Sequence, residues 1–296
     1  MLGVVNLDKR VGPTSNDMVG LLRRLTGTRR IGHAGTLDPL ASGVLPILVG
    51  AATRLSEELT GGHKRYDAVI RLGARSATDD AEGPIELVHA PLPTDAALRS
   101  ALATFVGTFE QRPPTFSARK QAGRTAHRAA RSGEPLDLPP RTVTVDRLDL
   151  LGVEAGEGWL DARVDLRCGA GTYVRAIARD LGEHLGCGGY LAALRRTEAA
   201  GLRIEDAVTP ERLEALAADG RLSDAILAPG DLLPMARVAL TGDDVRRFVH
   251  GSSVAVPGSL DGTRAAVFDG GTLLGVGSVV GGQLQPHKVL PAEPAG

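Results

Sequence analysis

Residues Val44 to Val49, VLPILV, are apolar without a break and follow directly on a glycine-rich loop that holds one carboxylate, Asp38. Six apolar residues after such a loop read as a buried strand. The segment Lys64 to Leu72, KRYDAVIRL, alternates as a second strand. Thr14 or Ser15 is the expected N-cap of a helix that runs to about Leu25, with Met18, Val19, Leu21, Leu22 and Leu25 at helical spacing. Helices are also expected over 51–59, 95–106, 173–185 and 209–218, and strands over 143–153 and 159–168. The stretch 188–196 is expected to precede a further strand. Leu and Pro residues near 226–234 mark a boundary. Beyond it the chain is glycine-rich with short apolar alternations, which suggests a small β-barrel or sandwich.

With 296 residues the chain can hold one large core, or a main domain and a small one. Aromatic residues are only 3%, so the core must be aliphatic and each Tyr or His gains weight as a functional candidate. Two cysteines, Cys168 and Cys187, form no CxxC pair, and no Cys/His or HExxH spacing suggests a metal. There is no secretory pattern at the start and no run of 18 apolar residues, so a reduced, cytoplasmic protein is expected. The net charge of −1 argues against a nucleic-acid binder, but it hides local imbalance. Arg23, Arg24, Arg29 and Arg30 cluster without an acid. Between positions 111 and 141, Arg112, Arg119, Lys120, Arg124, Arg128, Arg131 and Arg141 face only Glu134 and Asp137. Local basic fields guide a polyanion whatever the total charge, although solvated helix faces carry such runs too.

The segment from Gly32 to Leu45, GHAGTLDPLASGVL, places Asp38 on a turn that Pro39 restricts. No GK[ST] follows, and no GxGxxG spacing occurs in it, so it is neither a P-loop nor a dinucleotide fingerprint. On the residues alone, the plainer reading of Asp38 is a carboxylate that caps the turn.

The stretch GHAGTLDPLASGVLPILVGAATRL closely resembles the catalytic motif of the TruB family of tRNA pseudouridine synthases. Four further blocks resemble that family in the same order: LDKRVGPTSNDMV, KRYDAVIRLG, RPPTFSARKQAGRTAHRAARSGE and RCGAGTYVRAIARDLGEHLGCGGYLAALRRT. They span residues 7–197, about two thirds of the chain. Arg10 departs from the pattern, standing where the first block has Pro.

The resemblance implies an α/β (α+β) fold: a mixed, mostly antiparallel sheet with flanking helices over residues 1–230, with a basic RNA-binding insertion at about 111–141. Residues 231–292 would form a small PUA-like RNA-binding barrel. The implied reaction is isomerisation of uridine to pseudouridine in the T-arm of tRNA, at position 55, with base flipping. Asp38 matches the nucleophile, a role open to a carboxylate that adds to C6 of the ring or to C1′ of the ribose. Arg175 matches its cationic partner, and a nearby cation favours an ionised carboxylate. Tyr66 matches the aromatic that stacks on the target base and helps remove the C5 proton. Tyr173 and Leu194 match pocket-lining positions, and His33 matches a residue that fills the space a flipped base leaves. Arg119 and Lys120 lie in the basic insertion, where phosphate contacts are expected. No cofactor and no metal are implied, and the expected partner of a monomeric protein is tRNA. An RNA-binding or chaperone protein without catalysis is the alternative, against which the presence of Asp38, Tyr66 and Arg175 together argues. A small-molecule enzyme with an anion loop would call for phosphate-motif lysines that the sequence lacks.

Overall fold

The structure, a computed structural model, describes residues 1–117, 119–121 and 123–291. The first half runs β1 (Gly3–Lys9), α1 (Ser15–Thr26), β2 (Ile31–His33), β3 (Ala41–Val49), α2 (Ser56–Thr60) and β4 (Lys64–Leu72). A small hairpin, β5 (Ala74–Ser76) and β6 (Ile85–Leu87), precedes α3 (Asp95–Ala103) and β7 (Gly107–Gln111). The basic insertion contains a second small hairpin, β8 (Lys120–Gln121) and β9 (Arg124–Thr125), and α4 (Ala126–Arg131). The long strands β10 (Arg141–Gly156) and β11 (Trp159–Cys168) follow, then α5 (Val174–His184), β12 (Gly189–Ala199), β13 (Leu202–Arg203) and α6 (Pro210–Ala218). The tail holds β14 (Ala236–Leu240), α7 (Asp243–Val249), β15 (Val254–Ala255), β16 (Arg264–Asp269), β17 (Thr272–Val280) and β18 (Gln283–Val289).

Among the described residues nine strands form one sheet of order β1-β3-β12-β4-β11-β10-β7, with β2 on β3 and β13 on β12. Every pairing is antiparallel except the short parallel contact of β12 with β3. The expected mixed, mostly antiparallel sheet is therefore present.

The apolar run in β3 is buried on both faces, as its composition demands. Val44 and Leu48 join one core cluster, with Ala51, Ala52 and Leu55. Leu45, Ile47 and Val49 point the other way, onto Met18, Val19 and Leu22 of α1. A capping box between Thr14 and Asp17 starts α1, and Gly27, in the left-handed region at φ 67°, ends it. The β4–β11 half of the sheet differs. Tyr66, Ala68, Ile70 and Leu72 face a core shared with Leu98 and Leu102 of α3 and Ile177 and Leu181 of α5. The alternate residues face outward, where Arg65–Asp165, Asp67–Arg163 and Arg71–Asp161 form a ladder of cross-strand ion pairs.

Two expectations change. The stretch 188–196 does not precede a strand but forms most of one, β12. Its pattern is hidden by register shifts at Leu191/Ala193 and Arg196/Glu198, which break the two-residue alternation. In the β-rich tail, Asp243–Val249 is helical; Phe248 is its one buried residue, so it carries little amphipathic signal.

The second sheet, of order β14-β16-β17-β18-β15, has its own core around Phe248, Val254, Val267 and Leu284. It also packs against the first. Ala266, Phe268, Leu273 and Val276 share one cluster with Val4, Val44, Ala52 and Leu55.

The seam between β3 and β12 leaves no room at one position. Gly43 has φ 101°, and a Cβ there would lie 2.1 Å from the Arg196 carbonyl oxygen. Gly12 has a similar φ of 105° but open space around it. Gly12→Ala should cost about 1–2 kcal/mol, the strain of that backbone region alone. Gly43→Ala should cost clearly more, because backbone must also move. Urea midpoints of the two variants measure the difference; equal midpoints would show that the seam yields freely.

Candidate active site

The loop between β2 and β3 carries Asp38 and is tied down along its length. The Ser15 hydroxyl donates to the Leu37 carbonyl at 2.9 Å, and the Leu37 N–H donates back to the Ser15 hydroxyl oxygen at 2.9 Å. The Gly12 N–H donates to the Pro39 carbonyl at 2.9 Å, and the Ala41 N–H to the Asp38 carbonyl at 3.0 Å. From β12, Arg196 reaches across the seam. Its Nε donates to the Val44 carbonyl at 2.7 Å, and its terminal nitrogens to the Gly35 and Thr36 carbonyls at 3.0 and 3.3 Å.

Arg175, in the first turn of α5, is buried, and its Nε lies 3.0 Å from the Asp38 carboxylate. The rest of the guanidinium is occupied too. One terminal nitrogen lies 3.4 Å from the Asp80 carboxylate and donates to the Thr78 carbonyl at 3.0 Å; the other donates to the Phe116 carbonyl at 2.9 Å. So the cation is fixed from three directions while the Asp38 side chain keeps 40% of its surface exposed. A rigid cation beside a reachable carboxylate orients it without covering it.

Asp38 lies between two concavities. The first, of about 240 Å³, is lined by Asp38, Tyr66, Tyr173, Arg175, Leu194 and Arg196 among others. Tyr66, on β4, is buried at the floor, and burial pushes its phenol up against the opposing pull of Arg196. Tyr173 precedes α5, and its peptide is gripped by the buried Gln111. The Gln111 amide nitrogen donates to the Tyr173 carbonyl at 3.1 Å, and the Tyr173 N–H donates back to the Gln111 oxygen at 2.9 Å. The second concavity, of about 440 Å³, opens on the other side, between Thr14, Asp38, Asp80 and Glu82 and the insertion residues Phe116, Ser117 and His127. The Ser117 hydroxyl is buried there and has no hydrogen-bond partner among the described residues. Burial raises the Glu82 carboxyl, and Asp80 and Asp38 add to the effect.

Five of the residues singled out in the sequence therefore share one cleft: Asp38, Tyr66, Tyr173, Arg175 and Leu194. Three do not. His33 ends β2 outside both concavities, its buried Nδ1 without a hydrogen-bond partner among the described residues; burial first, then Arg196, keeps the ring toward its neutral form. Arg119 is exposed in the insertion, its carbonyl accepting from the Ala126 N–H at 2.7 Å. The backbone of Lys120 belongs to β8, and its side chain lies outside the described residues.

Several groups around this cleft escape a reading of the sequence. Arg196, Lys9 and Lys64 are buried cations that hold carbonyls. The Lys9 ammonium donates to Arg10 and Pro13, and that of Lys64 to Thr60 and Gly62. Burial lowers both lysines to about 8; Asp38 and Glu82 pull Lys9 back up, whereas Arg196 pushes Lys64 further down. Each of the three stands inside one of the family-like motifs, so its position is visible in the sequence, but the burial of its charge is not. Among the described residues no group of His, Cys, Asp and Glu side chains is placed to hold a metal ion.

Two family models match the chain: the N-terminal domain of TruB family pseudouridylate synthases over residues 23–174, and the tRNA pseudouridylate synthase B C-terminal domain over 175–233. Curated relatives span nearly the whole chain. The tRNA pseudouridine synthase B of Ralstonia nicotianae is 40% identical over 97% of this chain and 94% of its own length. That of Synechococcus sp. (strain WH7803) is 45% identical over 98% of each. Among solved structures, a Cbf5-Nop10-Gar1 complex matches with a TM-score of 0.75 at 26% identity, over 98% of this chain and 85% of that one. An H/ACA RNP bound to a substrate RNA containing 2′-deoxyuridine matches at 0.74, with 25% identity over 98% of this chain and 86% of that one. With its Asp38–Arg175 pair set in a cleft of this fold, the chain belongs to the TruB family of pseudouridylate synthases.

Proposed function

We infer that the protein isomerises one uridine of tRNA to pseudouridine, at position 55 in the T-arm, with Asp38 as the nucleophile. The observation that carries the reading is the 3.0 Å pair of Asp38 with a buried arginine, in a cleft that also presents Tyr66, Tyr173 and Leu194. The isomerisation breaks the N1–C1′ bond, turns the uracil, joins C5 to C1′ and releases the C5 proton. It is redox-neutral. A carboxylate can carry it covalently through C6 or C1′.

The target base must leave its stack to reach this cleft, at a cost of a few kcal/mol. His33 would occupy the space it vacates. The uracil would lie over Tyr66 with Leu194 as an apolar wall, while Arg175 holds the carboxylate toward the ring. The nucleotide backbone would run past the insertion, where Arg119 and Arg124 are exposed to solvent. The tail sheet, residues 231–292 in the proposed division, would hold the acceptor side of the RNA.

A T-arm stem-loop carrying [5-³H]uridine tests the chemistry, because tritium leaves only if the base is rejoined through C5. Wild-type protein should release it, and Asp38→Asn should lose at least about 10³-fold in rate while still binding RNA. Release by both proteins would remove Asp38 from its role. Binding without release by either would favour an RNA-binding protein without catalysis.

Arg119→Ala and Arg124→Ala should weaken binding of the same stem-loop. If each arginine neutralises one phosphate, each variant should flatten the slope of log affinity against log salt by about 0.7–0.9. An unchanged slope would place the RNA away from the insertion.

A further inference from the structure

Arg196 is 1% exposed, and among the described residues no carboxylate forms an ion pair with it. Its guanidinium instead donates to the Val44, Gly35 and Thr36 carbonyls. An ion taken out of water without a counter-ion is costly, and carbonyl dipoles compensate it only in part. Arg175, by contrast, has two carboxylates. The register explains what Arg196 faces. In the antiparallel pairing of β12 with β4 it stands directly opposite Tyr66, and both line the cleft of Asp38.

We propose that Arg196 is a positioning residue that acts through Tyr66, supplying the counter-charge for the phenolate that takes the C5 proton. This rests on the reading of Tyr66 as the base in the isomerisation. Once C5 is bonded to C1′, it still carries its hydrogen. The proton passes to the Tyr66 oxygen, and the C5–H electron pair becomes the C5=C6 double bond. The electrons displaced leave on N1, which takes a proton from water, or on the Asp38 carboxylate where that is bonded to C6. Tyr66 then returns the proton to solvent.

A phenol buried in this way resists becoming an anion. The charged and titratable groups that face it are Arg196 on β12, Cys168 on β11 and Asp38 in the β2–β3 loop. Lys64 on its own strand, and Tyr173 and Arg175 beside α5, share the cleft. Asp38 and Cys168 oppose the phenolate, whereas Arg196 favours it. Arg175 is already committed to carboxylates, and Lys64 is turned to the Thr60 and Gly62 carbonyls. Of the cleft cations without a carboxylate partner, Arg196 is the one that stands opposite Tyr66 in the β12–β4 register and favours its anion.

The test is single-turnover pseudouridine formation on stem-loops carrying [5-¹H] or [5-²H]uridine, over neutral to alkaline pH. The proteins compared are wild type, Arg196→Met, Arg196→Lys and Tyr66→Phe. Arg196→Met should fall roughly 10²-fold, with a deuterium isotope effect larger than wild type and a rate that recovers as pH rises. Arg196→Lys, which keeps the charge but loses part of the carbonyl anchor, should show the smaller isotope effect. An Arg196→Met rate that falls equally for both isotopes and at every pH would overturn the proposal and leave Arg196 as a loop anchor. If Arg196→Met does not fold, Arg196→Lys decides: an isotope effect as large as that of Tyr66→Phe would also overturn it. Wild-type rates in Tyr66→Phe would instead remove the base itself, a failure of the underlying reading that the Arg196 variants alone could not produce.

Discussion

The cleft depends on one short contact between strands that run the same way. Over three residue pairs, Leu194–Ala41, Arg195–Ser42 and Arg196–Gly43, β12 lies parallel to β3 in a sheet otherwise antiparallel. This contact brings the end of the Asp38 loop against the strand that carries Leu194 and Arg196. Gly43 permits the approach because a side chain there would strike the Arg196 backbone. Arg196 then reaches back over the contact to hold the Gly35, Thr36 and Val44 carbonyls. One arginine fixes both flanks of the loop on which Asp38 sits.

Charge in this region follows a consistent rule. Lys9, Lys64 and Arg196 are buried, and each is hydrogen-bonded to backbone carbonyls rather than paired with a carboxylate. Of the buried cations among the described residues, Arg175 is the one that meets carboxylates, from Asp38 and Asp80. Carbonyls hold a cation without cancelling its formal charge, so the first concavity is lined by three cations, Lys64, Arg175 and Arg196, against one carboxylate, Asp38. That field suits a polyanion far better than the net charge of −1 suggests.

The sequence revealed these parts unevenly. Helix α1, strands β4, β10 and β11 and helix α5 were legible because their periodicity is local and their caps are nearby. β12 was not, because register shifts at Leu191/Ala193 and Arg196/Glu198 interrupt the alternation. Asp38 and Arg175 lie far apart in the chain, and no spacing rule joins them; the family resemblance singled them out, and the fold puts them 3.0 Å apart. Arg196 and Lys64 were legible only as members of motifs. Whether a cation is buried depends on carbonyls that distant segments bring to it, and a one-dimensional pattern does not carry that information.

The core shared by the two sheets has a mechanical consequence. Phe268 and Val276 of the tail pack in the same cluster as Val44 and Ala52, and Val44 also accepts the Nε–H of Arg196 through its carbonyl. The tail sheet is thus part of the floor beneath the Asp38 loop rather than a module hung from a linker. A chain cut before β14 would leave that floor uncovered and exposed to water. Loosening of the tail would then be felt at Asp38 as slack in the loop, so the two sheets are expected to melt as one cooperative unit.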